Sequence, residues 1–325
     1  MKQAEQRPHF FVREIPIYGR LILSPMAGYS DLPFRAVCHA LGSAMCYTEF
    51  VAANAVVVRA PSQMRRLAYR AEEFPVVMQL FDNEVPGLLE AARICEALGA
   101  DIVDINMGCS VANVAGRGAG AGLLRDPLKI AAIFRALSTQ LTVPVTGKIR
   151  LGWDAETLNY LEVARAMEEN GASLLAVHGR TKAQKYHGEA NWEAIAEIKQ
   201  ALSIPVVGNG DITTVADCER RLAESRVDAL MIGRAAIGNP WLFQGKDWWE
   251  VTPEAKASLI ERHFELMLDF YGPERGLLNF RKHAVKYIRG TEGASSIRSR
   301  AVQATTVQAF VDLVSEFGES AMIAA

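Results

Sequence analysis

From the beginning of the chain to about residue 240, short apolar runs rich in β-branched residues alternate with longer amphipathic stretches. No other feature constrains the fold as much. Repeated strand-then-helix units make a parallel sheet, because parallel neighbours need a crossover and a helix is the usual one. Eight strands are expected: Leu21 to Ser24, Ala44 to Glu49, Val76 to Leu80, Ile102 to Asn106, Val145 to Arg150, Leu174 to His178, Val206 to Asn209 and Ala229 to Ile232. Helical patterns follow, as in Pro86 to Leu98, Pro127 to Leu137 and Trp192 to Leu202. Eight such units close a barrel more naturally than they make an open sheet, and such a barrel takes roughly 250 residues. The 325-residue chain has room for one further small domain.

Beyond Pro240 the β signal ends. Thr252-Pro253-Glu254 reads as an N-cap, a first-turn proline and an acidic first turn. The helix it opens runs to about Phe270 and is closed by Tyr271-Gly272-Pro273, since glycine can end a helix and proline cannot continue one. Leu277 to Arg289 and Ala304 to Phe317 complete a small bundle. The expected organisation is a (β/α)8 TIM barrel over residues 1–247 and a C-terminal helical-bundle domain over 248–325.

Composition sets limits on function. Half the residues are hydrophobic and 22% are charged, as in ordinary globular proteins. A formal charge of −2 gives no global sign of nucleic-acid binding, so such a function must rest on a local basic patch. The five cysteines, 38, 46, 95, 109 and 218, show no CxxC or Cys/His metal spacing, which suits reduced thiols and implies no metal site. Met1 to Arg7 carries no apolar signal core, and no run of about 18 apolar residues occurs; a cytoplasmic protein without a membrane span is expected.

In a barrel of this kind the active site lies at the C-terminal ends of the strands. Polar or glycine-bearing residues collect there: Pro25, Met26 and Ala27; Glu49; Gln79; Asn106 and Cys109; Lys148 and Arg150; His178 and Arg180; Asn209, Gly210 and Asp211; Gly233 and Arg234. Core packing does not explain such a set, whereas a large ligand does. Glycine-bearing turns after the seventh and eighth strands let backbone N–H groups approach a phosphate, and Arg234 adds a fixed charge with a bidentate fork. Two tight βα turns with a surface arginine would give the same letters. Lys148 sits within an apolar strand and needs an anionic partner, such as the N1–C2 edge of a reduced flavin, unless it snorkels out at the rim. Cys109 follows a strand end and precedes the glycine-rich segment Gly116 to Gly122, while the other four cysteines read as small hydrophobes. That segment lacks the spacing and context of a dinucleotide fingerprint and is expected to be a flexible loop beside the substrate.

Ser24-Pro25-Met26-Ala27-Gly28, Asp104-Ile105-Asn106-Met107-Gly108-Cys109, Gly147-Lys148-Ile149-Arg150, Val177-His178-Gly179-Arg180-Thr181, Gly208-Asn209-Gly210-Asp211-Ile212 and Met231-Ile232-Gly233-Arg234-Ala235 together resemble the bacterial tRNA-dihydrouridine synthases, in order and spacing. The B-type branch is the nearest match, and Phe280-Arg281-Lys282-His283 extends the likeness into the helical domain. The resemblance implies FMN held by Pro25, Met26, Ala27, Gln79, Lys148, Asn209, Gly210, Asp211, Gly233 and Arg234, NADPH as reductant and Cys109 as catalytic acid. It also implies contacts with flavin or uracil from Asn106, Arg150, His178 and Arg180, with His178 on the cofactor side. Two departures stand out. Ser110 replaces the family's usual proline, and Val111 to Arg117 lacks the usual lysine, which leaves the cysteine loop less restricted.

Arg275, Arg281, Lys282, Lys286, Arg289, Arg298 and Arg300 face a single acid, Glu292, over residues 275–300. Arg281, Lys282, Lys286 and Arg289 recur at helical spacing, and Arg281, Lys282 and Lys286 are the expected contacts to tRNA phosphates, although a solvated helix face would look the same. A monomer is expected. Two other readings fit parts of the pattern: a flavin barrel acting on a free pyrimidine, like a dihydroorotate or dihydropyrimidine dehydrogenase, and a non-catalytic tRNA-binding protein.

Overall fold

The computed structural model describes residues 7–290 and 293–323. Residues 1–6 and Glu292 lie outside the described residues. Internal contacts divide the chain into two compact units, Met1–Asp31 with Ser43–Gly233, and Leu32–Gly42 with Arg234–Ala325.

The first unit is the barrel. Its strands are β1 (Leu21–Leu23), β2 (Cys46–Tyr47), β3 (Val76–Phe81), β4 (Ile102–Met107), β5 (Val145–Arg150), β6 (Leu175–His178), β7 (Val206–Asn209) and β8 (Ala229–Ile232). Neighbours pair in parallel all the way round, with β8 on β1 and β2 on β3 closing the ring. Strands β4 and β5 are buried along their whole length, as expected of strands that face the barrel interior on one side and helices on the other. The second strand is shorter than Ala44 to Glu49. The Thr48 hydroxyl accepts the backbone N–H of Gln79, so β2 breaks off, and a short strand at Val51–Ala52 resumes pairing with the end of β3.

A hairpin, Phe10–Val12 with Ile15–Ile17, precedes the barrel and has no counterpart among the expected strands. Its strands have three residues each, and its turn lacks glycine, using Arg13 at φ 52° instead. Phe10, Val12 and Ile17 are buried in one cluster with Ile22, Tyr47, Val77, Ile102, Ala176, Val207 and Met231, residues drawn from strands around the barrel. Apolar side chains thus fill this part of the interior, while the polar set collects at the C-terminal ends.

Helix α1 (Leu32–Ala40) follows β1 in the chain but belongs to the second unit. The crossover helices of the barrel unit are α2 (Val85–Ala97), α3 (Pro127–Gln140), α4 (Tyr160–Glu169), α5 (Trp192–Ala201) and α6 (Val215–Ser225). Several start where their sequence says they should. Asp126 accepts from Lys129 N, Asn191 accepts from Ala194 N, and Thr214 with Asp217 forms a capping box.

The second unit joins α1 to α7 (Pro253–Tyr271), α8 (Pro273–Tyr287), α9 (Ala294–Gln303) and α10 (Val307–Ile323). The helical region expected from residue 248 lies within it, together with residues 32–42 and 234–247. Gly272, at φ 81°, ends α7, and Pro273 begins α8 at once, so the α7 stop signal is also a start signal. The sequence reading did not anticipate α9. Among the described residues no helix is long and apolar enough to cross a membrane.

Candidate active site

Cys109 is half-buried on the loop after β4. Its loop is pinned from three sides. The Asn106 Oδ1 accepts from Gly108 N at 3.2 Å and from Cys109 N at 2.9 Å. Arg150 Nε donates to the Gly108 carbonyl at 2.8 Å, and Ala121 N donates to the Cys109 carbonyl at 3.1 Å. Ser110 in place of proline therefore does not leave the loop unsupported. Burial pushes the Cys109 thiol pKa up, with the Val111 N–H and the Arg150 charge pulling the other way. The sulfur is held as a thiol, the form that can give a proton.

The second half of the glycine-rich segment packs inward, while Gly116 and Arg117 are exposed. Gly120 to Leu124 is buried, and a Cβ on Gly120, at φ 54°, would meet the Cys109 Cβ and carbonyl oxygen at 3.0 Å. Gly120 serves close approach to the cysteine loop, so this part of the expected flexible loop is packed.

Behind Asn106 the hydrogen bonds continue inward. Asn106 Nδ2 donates to Gln79 Oε1 at 2.9 Å, Gln79 Nε2 donates to Asp104 Oδ2 at 2.7 Å, and Thr146 Oγ1 donates to Asp104 Oδ1 at 2.6 Å. Asp104 is fully buried and was not among the expected site residues.

Lys148 stands opposite Asn106 in the β4–β5 register. Its amine is buried, and among the described residues its hydrogen-bond partner is the neutral Asn209 Oδ1 at 3.1 Å. Burial lowers its pKa to about 7, helped by the nearby Arg150 charge and opposed by Asp104. An ammonium has three donors, so this one can give hydrogen bonds to an added acceptor. The electron-rich edge of a flavin suits that donor, and the spare N–H of Gln79 suits its carbonyls and ring nitrogens. The residues present therefore fit a flavin.

Arg150 and Arg180 are engaged within the barrel. Besides Gly108, Arg150 donates to the Thr181 and Lys185 carbonyls, and its guanidinium lies 5.7 Å from the Tyr186 ring centroid. Arg180 pairs with Asp211 at 2.6 Å and donates to the His187 and Gly188 carbonyls, with His178 Nε2 3.4 Å away. These arginines tie the loops after β4, β6 and β7 together. Asp211 Oδ2 also accepts from Ala190 N, and the Asp211 backbone adopts φ 51°. Gly210 is required by packing, since a Cβ there would lie 2.5 Å from Ala190 Cβ.

The ends of β1 and β8 meet. Ser24 N donates to Ile232 O, and a Cβ on Gly233 would lie 3.6 Å from the Met26 sulfur. Pro25 is buried and Ala27 exposed. Arg234 is exposed and begins the second unit.

In that second unit the three basic candidates differ. Lys286 is exposed. Arg281 Nη2 donates to the Ala304 carbonyl at 2.5 Å, so its guanidinium caps the end of α9. Lys282 is half-buried, and its charge adds to the burial that lowers the pKa of His263 and His283. Arg289 and Lys256, which the sequence did not connect, lie over the Trp248 ring at 4.9 and 4.5 Å. Among the described residues no cluster of His, Cys, Asp or Glu could hold a metal ion.

The dihydrouridine synthase family profile matches residues 22–322. The chain belongs to the dihydrouridine synthase family. It is 42% identical over 291 residues to "tRNA-dihydrouridine synthase B" of Pseudomonas aeruginosa, covering 87% of each chain. It is 34% identical over 320 residues to "Probable tRNA-dihydrouridine synthase" of Rickettsia conorii, covering 96% of this chain and 97% of that one. Enzymes of the family are flavin-dependent oxidoreductases. A solved 2-naphthoyl-CoA reductase shares the fold, with a TM-score of 0.59 at 10% identity over 72% of this chain and 51% of that chain.

Proposed function

We propose that this dihydrouridine synthase family member reduces the C5–C6 bond of a uridine in tRNA to 5,6-dihydrouridine, with FMN as its flavin and NADPH as reductant. When bound and reduced, FMN would supply a hydride for uracil C6. Cys109 supplies the proton to C5, and its burial keeps the proton on sulfur until substrate arrives. Lys148, whose amine is bonded to Asn209 Oδ1, would offer its remaining N–H groups to the N1–C2 edge of the flavin. The turns at Asn209-Gly210-Asp211 and Gly233-Arg234 are assigned to the FMN phosphate, together with Pro25, Met26 and Ala27 at the adjoining strand end. His178 is assigned to the flavin side of the site. Asn106 has a spare N–H for uracil, while Arg150 and Arg180 shape the substrate side by holding its loops. The helical unit carries the tRNA-binding role, with Lys286, Lys282 and Arg281 as the basic residues that serve it. The protein works as a monomer in the cytoplasm, where its tRNA and NADPH are.

The observation that carries the reading is the thiol of Cys109, pinned after β4 on a register that puts Asn106 beside Lys148. The test is to extract and identify the flavin, reduce it with NADPH, and follow its reoxidation by tRNA and by free uridine. FMN and reoxidation by tRNA alone are expected. Bound FAD would overturn the cofactor, and equal reoxidation by free uridine would turn the substrate into a small pyrimidine.

A further inference from the structure

We infer that Asp104 is a positioning residue for the Cys109 loop, acting through the side-chain amides of Gln79 and Asn106. The purpose assigned to the loop rests on the proton-donor reading of Cys109; the positioning itself does not. Asp104 and Asn106 are two residues apart on β4 and point to the same side, and Gln79 is the partner of Asp104 in the β3–β4 register.

The two ends of this chain of hydrogen bonds fix its direction independently. At the inner end an ionised carboxylate can only accept, and Asp104 accepts from Thr146 Oγ1 and Gln79 Nε2. At the outer end backbone N–H groups can only donate, and those of Gly108 and Cys109 both donate to Asn106 Oδ1. An amide has one accepting and one donating end. With its oxygen taken by the loop, Asn106 must present Nδ2 to Gln79; with its oxygen taken by Asn106, Gln79 must present Nε2 to Asp104. One orientation of each amide satisfies every partner. Turning either one sets nitrogen against nitrogen or oxygen against oxygen in a buried site, where such a mismatch goes uncompensated by water. Burial lifts the Asp104 pKa only to about 6, with Thr146, Gln79 and Lys148 opposing the rise, so the carboxylate is ionised at neutral pH.

The test reverses the direction of the chain. Asn106→Asp sets a carboxylate oxygen against Gln79 Oε1, and flipping Gln79 only moves the conflict to Asp104. Adding Asp104→Asn resolves it: the new amide at 104 donates to Gln79, which then donates to the new carboxylate at 106. Asp104→Asn alone keeps an acceptor toward Gln79, because the Thr146 hydroxyl can turn to accept from the amide nitrogen. Two readouts on flavin-loaded protein apply: kcat for reoxidation by tRNA, and the alkylation rate of Cys109 by iodoacetamide, readable because the other four cysteines are buried. Asn106→Asp is expected to lower kcat on the order of 100-fold and to change the alkylation rate. Asp104→Asn should keep the alkylation rate within about threefold of wild type. The double variant should return the alkylation rate toward wild type, while its kcat stays short of wild type because a carboxylate at 106 lacks the N–H offered to uracil. A folded, flavin-loaded double variant whose alkylation rate is no nearer wild type than that of Asn106→Asp overturns the inference. If the double variant does not fold, Asp104→Asn and Asp104→Leu decide by alkylation rate: the first like wild type and the second clearly changed supports the inference, and equal rates overturn it. Rescue of alkylation in a protein whose Cys109→Ala variant keeps full activity would remove the proton-donor reading and leave the positioning role standing.

Discussion

The two units bury ionisable side chains in opposite ways. In the barrel, Asp104, Lys148 and Arg180 are buried with directional partners, each donor aimed at an acceptor on a neighbouring strand or loop. In the helical unit the buried ionisable groups include His263 and His283, whose ring centroids lie 4.6 Å apart among Phe34, Phe280 and Tyr287. Burial holds both histidines neutral, with His263 down at about 3, while Lys286 and Arg289 stay at the surface. The first arrangement fixes atoms in space and serves chemistry. The second packs two neutral histidines into an aromatic core, beside a buried Arg35 in the same unit, and keeps Lys286 and Arg289 outside, where a polyanion can meet them. Perturbing one unit should therefore change reaction steps, and perturbing the other should change stability and salt dependence.

The largest effect is expected in the barrel. Cys109→Ala should retain flavin and accept electrons from NADPH, yet form dihydrouridine about 10²- to 10⁴-fold more slowly, the usual contribution of a positioned acid. Single-turnover reoxidation by tRNA isolates the step, and a wild-type rate there would make Cys109 structural.

Next comes Lys148→Met, which removes the charged donor but keeps a long side chain. FMN affinity should fall roughly 10- to 100-fold, the usual range for a hydrogen bond to a charged group. Because the Lys148 pKa lies near 7 before an anionic edge is bound, FMN binding should also weaken as pH rises from 7 to 9, and Lys148→Met should lose that dependence. Titration of apoprotein across that range is the check. A wild-type profile in the variant would place the proton elsewhere.

The histidines give the helical unit an acid weakness. Their folded pKa values lie below the unfolded value of 6.5, so the unfolded chain takes up protons first as pH drops. Stability present above pH 6.5 is lost below it, at up to about 1.4 kcal/mol per pH unit for each histidine. Asp104 has the opposite sign: its folded pKa, about 6, lies above 3.8, so acid costs the barrel nothing through that group. Urea midpoints at pH 7 and pH 5 should differ in wild type and differ less in His263→Phe. Equal wild-type midpoints would erase the contrast between the units.

The smallest effect separates surface charge from structural charge within α8. Lys286→Ala should leave stability unchanged and reduce the logarithmic salt slope of tRNA binding by about one. Arg281→Ala should instead lower stability, since its guanidinium serves the Ala304 carbonyl. Binding titrations over a salt series, with a melt of each variant, check both.

The barrel was legible because parallel strands buried on both faces leave continuous apolar runs, and each of the eight runs became a strand. Lys148 and Cys109 announced themselves as a cation inside an apolar run and a thiol just past one. Asp104 did not. It stands within the same motif as Asn106, but its role depends on Gln79 and Thr146 from other strands, which one-dimensional spacing cannot bring together. The Phe10–Ile17 hairpin was missed because its strands are short and its turn has no glycine. Helix α9 was missed because Ala294-Ser295-Ser296 is a weak helix start, held by the packing of Ile297 and Ala301 in the helical core. Arg281 shows the limit of helical spacing: the repeat puts it near Lys282 and Lys286, but not which side α9 covers.

The central claim is that this chain makes dihydrouridine in tRNA, and the most direct measurement maps dihydrouridine in tRNA from cells with the protein, without it, and complemented by Cys109→Ala. At least one uridine position should be reduced in the first, unreduced in the second and nearly unreduced in the third. An unchanged map without the protein, in cells where no other enzyme covers the same positions, would contradict the account.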